Sequence, residues 1–181
     1  MRKLSMDELN RISVDEYKSS NKTPVIAVLD NVRSQNNIGS VFRTADAFRI
    51  EALYLCGITA TPPNREIHKT ALGSTESVDW KYFENTLDAI ISLKENGYTV
   101  FSIEQTTNSR MLDDFIWEIG KDKLAVVFGN ELNGVDEKII EISDGSIEIP
   151  QIGTKHSLNL AVSAGIILWE LFSRHKKKPV K

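Results

Sequence analysis

The sequence predicts a single α/β domain in which helices flank a mainly parallel sheet. Val25 to Leu29 and Leu124 to Phe128 are continuous apolar runs, which is typical of strands that are covered on both faces. Between them, strand-like segments alternate with segments that have helical spacing, and this alternation favours parallel strands joined by helices. The length of 181 residues fits one compact domain.

The first 24 residues predict a short helical extension before the first strand. Ser5 to Glu8 and Ser13 to Glu16 both have the Ser-x-x-Glu form of a capping box, in which the two side chains bind each other's backbone N–H groups. Pro24 ends any helix that begins there. We therefore divide the chain into an extension at 1–24, a main domain at 25–173 and a basic tail at 174–181.

The later elements follow in regular order. Thr86 to Asn96 has apolar residues at helical spacing, and Gly97 stands where a left-handed C-terminal cap is needed. The strands predicted around the second apolar run are Ala52 to Cys56, Val78 to Tyr82 at an edge, Tyr98 to Ile103, and Ser146 to Ile149. The other predicted helices are Ile38 to Phe48, Arg65 to Leu72, Val135 to Ile142 and Ser157 to Ser173. Thr59 to Asn64, with two prolines, is expected to be an exposed loop.

The composition is that of an ordinary soluble protein, with 41% hydrophobic and 26% charged residues. The sequence contains neither an apolar run of about 18 residues that would span a membrane nor the apolar segment of a secretory signal. We therefore expect no membrane association and a cytoplasmic location. The lone Cys56 lies in an apolar run and is expected to be a buried core residue.

The net charge of −3 argues against coating of nucleic acid by bulk charge, because phosphate binding depends on clustered Lys and Arg. Both ends of the chain nevertheless carry basic clusters, which either contact RNA or are simply solvated ends. These residues are Arg2, Lys3 and Arg11 near the start, and Arg174, His175, Lys176, Lys177, Lys178 and Lys181 near the end.

Three polar turns lie between a predicted strand and the helix that follows it. In a parallel sheet such turns collect beyond the carboxyl ends of the strands, where ligands bind near helix N-termini, so the three together predict one composite site. The turns are Asn36 to Ala45, Phe128 to Val135 and Ile149 to Leu160. The glycine-rich nucleotide-binding motifs and the serine-hydrolase motif are absent. The three histidines lack the spacing of zinc ligands, so no metal is expected.

Each turn also has a purely structural interpretation. Asn36 or Asn37 is a suitable N-cap for the helix that follows, and Ser157 is a suitable N-cap for the last helix. Arg43 is less easily explained in this way. It lies six residues after Asn37, so its side chain either returns to the turn or faces a partner subunit. In either place, a guanidinium suits a phosphate or a carboxylate.

Taken together, the turns resemble the three motifs of the SpoU/TrmH class of SPOUT RNA methyltransferases. The matching segments are Asn37-x-Gly39-x-x-x-Arg43-x-Ala45, Phe128-Gly129-Asn130-Glu131-x-x-Gly134, and Ile149-Pro150 with Ser157-Leu158-Asn159. They occur in the family's order. The resemblance implies S-adenosylmethionine as methyl donor, transfer to a ribose 2′-hydroxyl of tRNA or rRNA, a homodimer, and a C-terminal trefoil knot.

The resemblance also implies roles for individual residues. Gly129, Ile149, Ser157 and Leu158 are expected to form the pocket for S-adenosylmethionine. Asn37, Arg43, Glu131 and Asn159 are expected to form the catalytic group that holds the ribose and its phosphate. A guanidinium does not lose its proton in proteins. We therefore interpret Arg43 as a phosphate anchor, and leave the proton acceptor open among solvent, a phosphate oxygen and Glu131.

Two features bear on the partners. Only 24 residues precede the first predicted strand, so we expect RNA to contact the helical ends and the dimer surface, which favours folded tRNA over rRNA. The last helix is apolar on more than one face, from Leu158 to Trp169, as expected if one face meets a second subunit. The alternative is a central core helix in a monomer.

Two other functions remain open. One is a methyltransferase of the same superfamily that acts on a ring nitrogen of a base, although the Arg43 and Ser157-Leu158-Asn159 pattern argues against it. The other is a non-catalytic module that binds RNA or a nucleotide.

Overall fold

The computed structural model describes residues 1–5, 7–116 and 123–176, and it has the predicted α/β architecture. The seven-stranded sheet has the order β3-β2-β1-β6-β4-β7-β5, and each neighbouring pair is parallel. The strands are β1 Thr23–Asp30, β2 Ile50–Cys56, β3 Trp80–Phe83, β4 Tyr98–Ile103, β5 Arg110–Met111, β6 Lys123–Phe128 and β7 Gly145–Glu148. The helices are α1 Val14–Ser19, α2 Gln35–Ala47, α3 Arg65–Ala71, α4 Ser74–Ser77, α5 Thr86–Glu95, α6 Glu137–Ile142 and α7 Leu160–Lys176.

Helices cover both faces of the sheet, which explains the continuous apolar runs. In β1, Val25, Ala27 and Leu29 belong to the core under α2, α3 and α7. The alternate residues Ile26 and Val28 belong to a second core under α5 and α6. Because successive strand residues point to opposite faces, a strand in the middle layer must be apolar at every position.

The N-terminal capping boxes form as predicted. Glu16 N donates to Ser13 Oγ at 3.3 Å, and Ser13 N donates back to Glu16 Oε2 at 2.8 Å, at the start of α1. Ser5 and Glu8 make the same exchange around a short 3₁₀ helix at Asp7–Leu9. Of the predicted basic tail, residues 177–181 lie outside the described residues.

Several element boundaries differ from the prediction. The edge strand β3 begins at Trp80, because Val78 is the C-cap of α4, a one-turn helix that was not predicted. The two-residue strand β5 was also missed, because so short a segment carries no periodic pattern. The loop at 59–64 is not fully exposed. Thr59 is buried, because its Oγ1 donates to Leu29 O at 3.0 Å and accepts from Val32 N at 2.9 Å.

One other prediction concerns burial. Cys56 is a free, fully buried cysteine, as predicted, and burial raises the pKa of its thiol to about 12. Among the described residues, no helix is long and apolar enough to cross a membrane.

Candidate active site

The three polar turns meet at the carboxyl edge of the sheet, as predicted. The first follows β1 and the second follows β6, its direct neighbour, while the third follows β7 on the far side of β4. Asn37 Nδ2 donates to Glu131 Oε1 at 3.2 Å, and Asn159 Nδ2 donates to Asn37 Oδ1 at 3.2 Å. The turns are thus joined by a hydrogen-bonded chain of three side chains that are distant in the sequence.

The first link in this chain depends on how α2 is capped. Ser34, not Asn36 or Asn37, is the N-cap, because Ser34 Oγ accepts from Asn37 N at 3.3 Å. The predicted asparagine cap is therefore wrong. Since the serine oxygen satisfies the helix N-terminus, the Asn37 side chain is available to Glu131.

The last helix is also capped differently from the prediction. Asn159 Oδ1 accepts from Ala161 N at 2.9 Å and Val162 N at 3.4 Å, so α7 begins at Leu160 and Ser157 lies in the turn before it. The predicted cap at Ser157 is wrong for this reason. Asn159 uses its oxygen for the cap and its nitrogen for Asn37, which fixes the rotation of its amide.

Glu131 is held as a carboxylate. Its oxygens accept from Arg33 N at 3.0 Å and Ser34 N at 3.0 Å, in addition to Asn37. Desolvation acts to raise the pKa of Glu131, but the backbone donors and the Asn37 amide together lower it below its ordinary value. Hydrogen bonds to the ionised form stabilise that form, so Glu131 is a structural anion with weak basicity.

A cavity of about 450 Å³ opens beside this cluster, within the size range of ligand pockets. All four residues predicted to bind the methyl donor line it, and so does Glu131. These four are Gly129, Ile149, Ser157 and Leu158. The cavity, which we name the donor cavity, therefore brings together the four residues that were predicted to bind the donor. Asn37 and Asn159 lie next to it, because Asn37 binds Glu131 and Asn159 binds Asn37.

The backbone at Gly129 shows why glycine is needed in the second turn. A Cβ at this position would lie 2.0 Å from the carbonyl carbon of Gly134 and 2.1 Å from Val135 N. Gly134 itself has a φ of 70°, which glycine adopts readily. The turn is folded so tightly that the backbone forms the wall of the cavity.

The charged side chains that line the cavity are acidic. They are Glu104, Glu131, Glu137 and Glu148, and no Lys or Arg is among the described lining residues. Such a cavity suits a ligand with positive charge, and S-adenosylmethionine carries a sulfonium and an ammonium group. The tight glycine wall, the aliphatic Ile149 and Leu158, and this charge fit the predicted donor.

Glu104 was missed by the sequence analysis. Its Oε2 accepts from Val135 N at 3.1 Å, and its Oε1 accepts from Gln105 N at 2.9 Å, so it attaches the second turn to the end of β4. The available signal was a polar residue directly after the predicted strand Tyr98 to Ile103, at the same sheet edge as the three turns.

Asp30 was missed as well. It is buried at the end of β1, where it accepts from Asn31 Nδ2 at 2.8 Å, from Asp136 N at 3.3 Å and from Thr86 Oγ1. Asn130 Nδ2 in turn donates to Asn31 O at 2.7 Å. These bonds hold the end of β1, which leads into the first turn, to the second turn next to Glu131.

Arg43 lies apart from the other predicted catalytic residues. Its side chain is exposed, and it lines a surface depression with Ser40, Thr44 and Gly165, not the donor cavity. Within one chain, Arg43 therefore does not return to the first turn. The other alternative, in which Arg43 faces a partner subunit, stays a prediction.

The fold and this site define an α/β protein with a ligand-sized pocket at the carboxyl edge of its sheet. The profile of the SpoU rRNA Methylase family matches residues 24–169. The chain therefore belongs to this family. Membership confirms the class predicted from the motifs, an S-adenosylmethionine-dependent RNA 2′-O-methyltransferase, and implies the predicted trefoil knot.

Relatives include enzymes with names that specify tRNA and rRNA substrates. The tRNA (guanosine(18)-2′-O)-methyltransferase of Thermus thermophilus is 30% identical over 163 residues, which cover 90% of this chain and 81% of the relative. The 23S rRNA (guanosine-2′-O-)-methyltransferase of Vibrio parahaemolyticus is also 30% identical, with 90% of this chain and 64% of the relative covered. The chain likewise spans only 63% of a TrmH family relative from Staphylococcus saprophyticus, at 27% identity over 89% of the chain.

Solved structures of related enzymes share the fold. The TrmH/SpoU tRNA modifying enzyme of A. aeolicus superposes with a TM-score of 0.79 at 26% identity, covering 91% of this chain and 81% of the other. An rRNA methyltransferase from Sinorhizobium meliloti, solved with AdoMet bound, superposes with a TM-score of 0.77 at 27% identity, covering 91% and 61%. The AdoMet-bound structure supports S-adenosylmethionine as the donor for this fold.

Proposed function

We propose that this chain transfers a methyl group from S-adenosylmethionine to a ribose 2′-hydroxyl of structured RNA, with tRNA favoured over rRNA. The observation that carries the proposal is the hydrogen-bonded chain of Asn37, Glu131 and Asn159 beside a cavity lined by Gly129, Ile149, Ser157 and Leu158. A donor in the cavity and a ribose at the cluster are thereby neighbours, as a direct displacement requires.

The chemistry follows from the chain's own groups. When bound, S-adenosylmethionine supplies an activated methyl group on a sulfonium. At the rim of the site, Asn159 is exposed and Asn37 is half-buried, and their amides orient a sugar hydroxyl. Their own orientation is fixed by Glu131 and by the cap of α7, so the rim is preorganised before RNA binds.

The hydroxyl must also lose a proton. Glu131 is a poor acceptor, because its oxygens already accept three hydrogen bonds and its pKa is lowered. This favours the other two acceptors that the sequence analysis left open, solvent and a phosphate oxygen. Arg43 then serves as phosphate anchor, since a guanidinium binds phosphate without giving up its proton.

We further propose a homodimer through the outer face of α7. The inner residues of α7 are buried, whereas Val162, Ile166 and Trp169 on its outer face are exposed by 50%, 36% and 52%. An apolar strip of this kind fits a subunit interface better than open solvent. Arg43 shares a depression with Gly165 on the same surface, so a partner docked on α7 would receive Arg43 close to its own site.

Relatives named for tRNA and for rRNA substrates match this chain at the same identity of 30%, so the proposed preference for tRNA depends on shape. A compact dimer suits a folded RNA that is recognised by shape and backbone. We propose action in the cytoplasm, where a free buried thiol such as Cys56 fits the reducing conditions.

The test is a methyl-transfer assay with labelled donor on purified tRNA and rRNA, followed by nuclease digestion and nucleoside analysis. The expected product is a 2′-O-methylated nucleoside from tRNA, and Arg43→Ala should abolish most of it. A base-methylated product would overturn the proposal in favour of a ring-nitrogen methyltransferase. Donor binding by calorimetry without transfer to either RNA would favour the non-catalytic module.

A further inference from the structure

A second, larger cavity of about 1010 Å³ lies at the opposite edge of the sheet. It is bounded by the N-terminal segment, the start of β1, the end of α2, the turn before α4 and the end of α7. We name it the basic groove after the five cationic side chains that line it, Arg11, Lys22, Arg43, Arg49 and Lys176. The carboxylates among its described lining residues are Asp46 and Glu76.

The cations of the basic groove are available to a ligand. In the described part of the chain, Arg11, Arg43, Arg49 and Lys176 are exposed and form no ion pair. Arg174 is different, because it binds Glu170 at 2.6 Å. Clustered cations without carboxylate partners repel one another, so a bound polyanion stabilises them.

Lys22 is half-buried in the groove. Its Nζ donates to Tyr17 O and lies 3.7 Å from the centre of the Tyr17 ring. Burial lowers the pKa of Lys22, the Asp79 carboxylate opposes this effect, and the nearby Arg49 adds to it. A phosphate in the groove would stabilise the charged form of Lys22, which burial disfavours.

The basic groove is distant from the hydrogen-bonded side chains of Asn37, Glu131 and Asn159, which we name the catalytic cluster. β1 runs from Thr23, which lines the groove, to Asp30 beneath the cluster. Helix α2 runs back from Asn37 at the cluster toward Arg49 at the groove. With a rise of 1.5 Å per helical residue, the ten steps from Asn37 to Ala47 at the end of α2 span about 15 Å. Arg49 follows two residues later, and Arg43 lies between the two ends of the helix.

We propose that the end of the basic groove at Arg11 and Arg49 binds backbone phosphates of the substrate RNA more than about 15 Å from the Asn37 end of α2. Arg43, at the inner end of the groove, keeps its role as phosphate anchor in the proposed catalytic group. Arg11 and Arg49 therefore contact a second part of a folded RNA, away from the nucleotides next to the target. Phosphate contacts of this kind fix the position of a nucleic acid without reading its sequence. The inference rests on the proposed function, because it takes RNA as the substrate.

The test compares folded RNA with a short oligonucleotide that contains the same target nucleotide. Arg11 and Arg49 are replaced together by glutamine, since both are exposed and neither belongs to the proposed catalytic group. The matched control is Lys138→Gln. Lys138 is exposed and lies in α6, which packs on the face of the sheet opposite to α2 and α7. Thermal unfolding checks that all variants fold.

We expect the double variant to raise KM for folded RNA about tenfold, with kcat and the donor Kd unchanged. The slope of log Kd for RNA against log salt concentration should fall by about one to two, as for two lost phosphate contacts. KM for the short oligonucleotide should not change. An equal loss with the short oligonucleotide, or no loss with folded RNA, would overturn the inference.

The two proposals fail in different ways. If the wild-type chain methylates no RNA, the proposed function fails, whereas fluorescence anisotropy with labelled folded RNA still tests the groove. If the wild-type chain methylates RNA but the double variant binds folded RNA as tightly as Lys138→Gln does, the groove inference alone is wrong.

Discussion

The donor cavity and the basic groove lie at opposite edges of one sheet and carry opposite charges. Four glutamates line the donor cavity without a described lysine or arginine, while five lysines and arginines line the groove against two carboxylates. The chain as a whole has a net charge of only −3. A small net charge is thus compatible with two regions of strong and opposite electrostatic potential, one suited to a cationic donor and one to a polyanionic RNA.

The comparison also separates two kinds of binding. The donor cavity is built from tight backbone turns that are held by hydrogen bonds, such as those of Glu104 and Asn130. The groove is built from long, exposed side chains that share one surface. We therefore expect substitutions that change side-chain volume to affect binding in the donor cavity most, and substitutions that change charge to affect binding in the groove most.

The largest effect is expected from Gly129→Ala. The added Cβ would lie 2.0 Å from the carbonyl carbon of Gly134, so the second turn must move and the cavity wall is lost. Donor affinity measured by calorimetry should fall more than about 100-fold, while RNA binding in the groove persists. Gly153→Ala is the control, because a Cβ there meets nothing within 4 Å. Normal donor binding by the Gly129 variant would show that the turn does not shape the site.

Arg43→Lys should lose most activity, about 100-fold in kcat, while the donor Kd stays unchanged. Arg43 lines the groove and not the donor cavity, and lysine keeps the charge but not the planar pair of donors that grips a phosphate. Single-turnover kinetics with saturating donor and RNA measure this effect. Near-normal turnover by the variant would remove Arg43 from the catalytic group.

Glu131→Gln should lower kcat about tenfold without changing the shape of the pH profile. The pKa of Glu131 is lowered, so its carboxylate is ionised throughout the range from about pH 6 to 9 and its stabilising effect would be lost only as the pH falls through that lowered value. The measurement is kcat against pH for both proteins. Loss of a rising limb in the variant would instead identify Glu131 as the proton acceptor.

The smallest effect is expected from Glu104→Gln. Removing one negative charge from the donor cavity should weaken S-adenosylmethionine binding about fivefold. S-adenosylhomocysteine, which lacks the sulfonium charge, should lose less. Glu141→Gln, at an exposed position in α6, is the control for a change in total charge. Equal losses for both ligands would indicate that Glu104 acts only by holding the second turn to β4.

Much of the fold could be predicted because the relevant signals are local. The apolar runs of β1 and β6 and the capping box at Ser13 depend on neighbouring residues, and they appear in the structure as predicted. Helix caps were harder, because several nearby polar residues can cap the same helix. Ser34 caps α2 while Asn37 binds Glu131, which lies 94 residues away, and no local pattern decides between them.

The basic clusters predicted at the two ends of the chain show that local patterns also fail to predict which cations meet. Arg2 was placed in the basic cluster near the start of the chain, but it binds Glu8 at 2.6 Å. The groove instead combines Arg11, Lys22, Arg43, Arg49 and Lys176, which are spread across most of the chain.

The sequence by itself determined the α/β class, the order of most elements and the three motifs that identify the family, since all of these depend on residue type and short spacing. Only the tertiary structure decided that Asn37, Glu131 and Asn159 form one chain of hydrogen bonds, that Arg43 stands apart, and that cations gather opposite the donor cavity. The physical reason is that parallel strands bring distant turns to one edge, and the fold sets which distant side chains meet there.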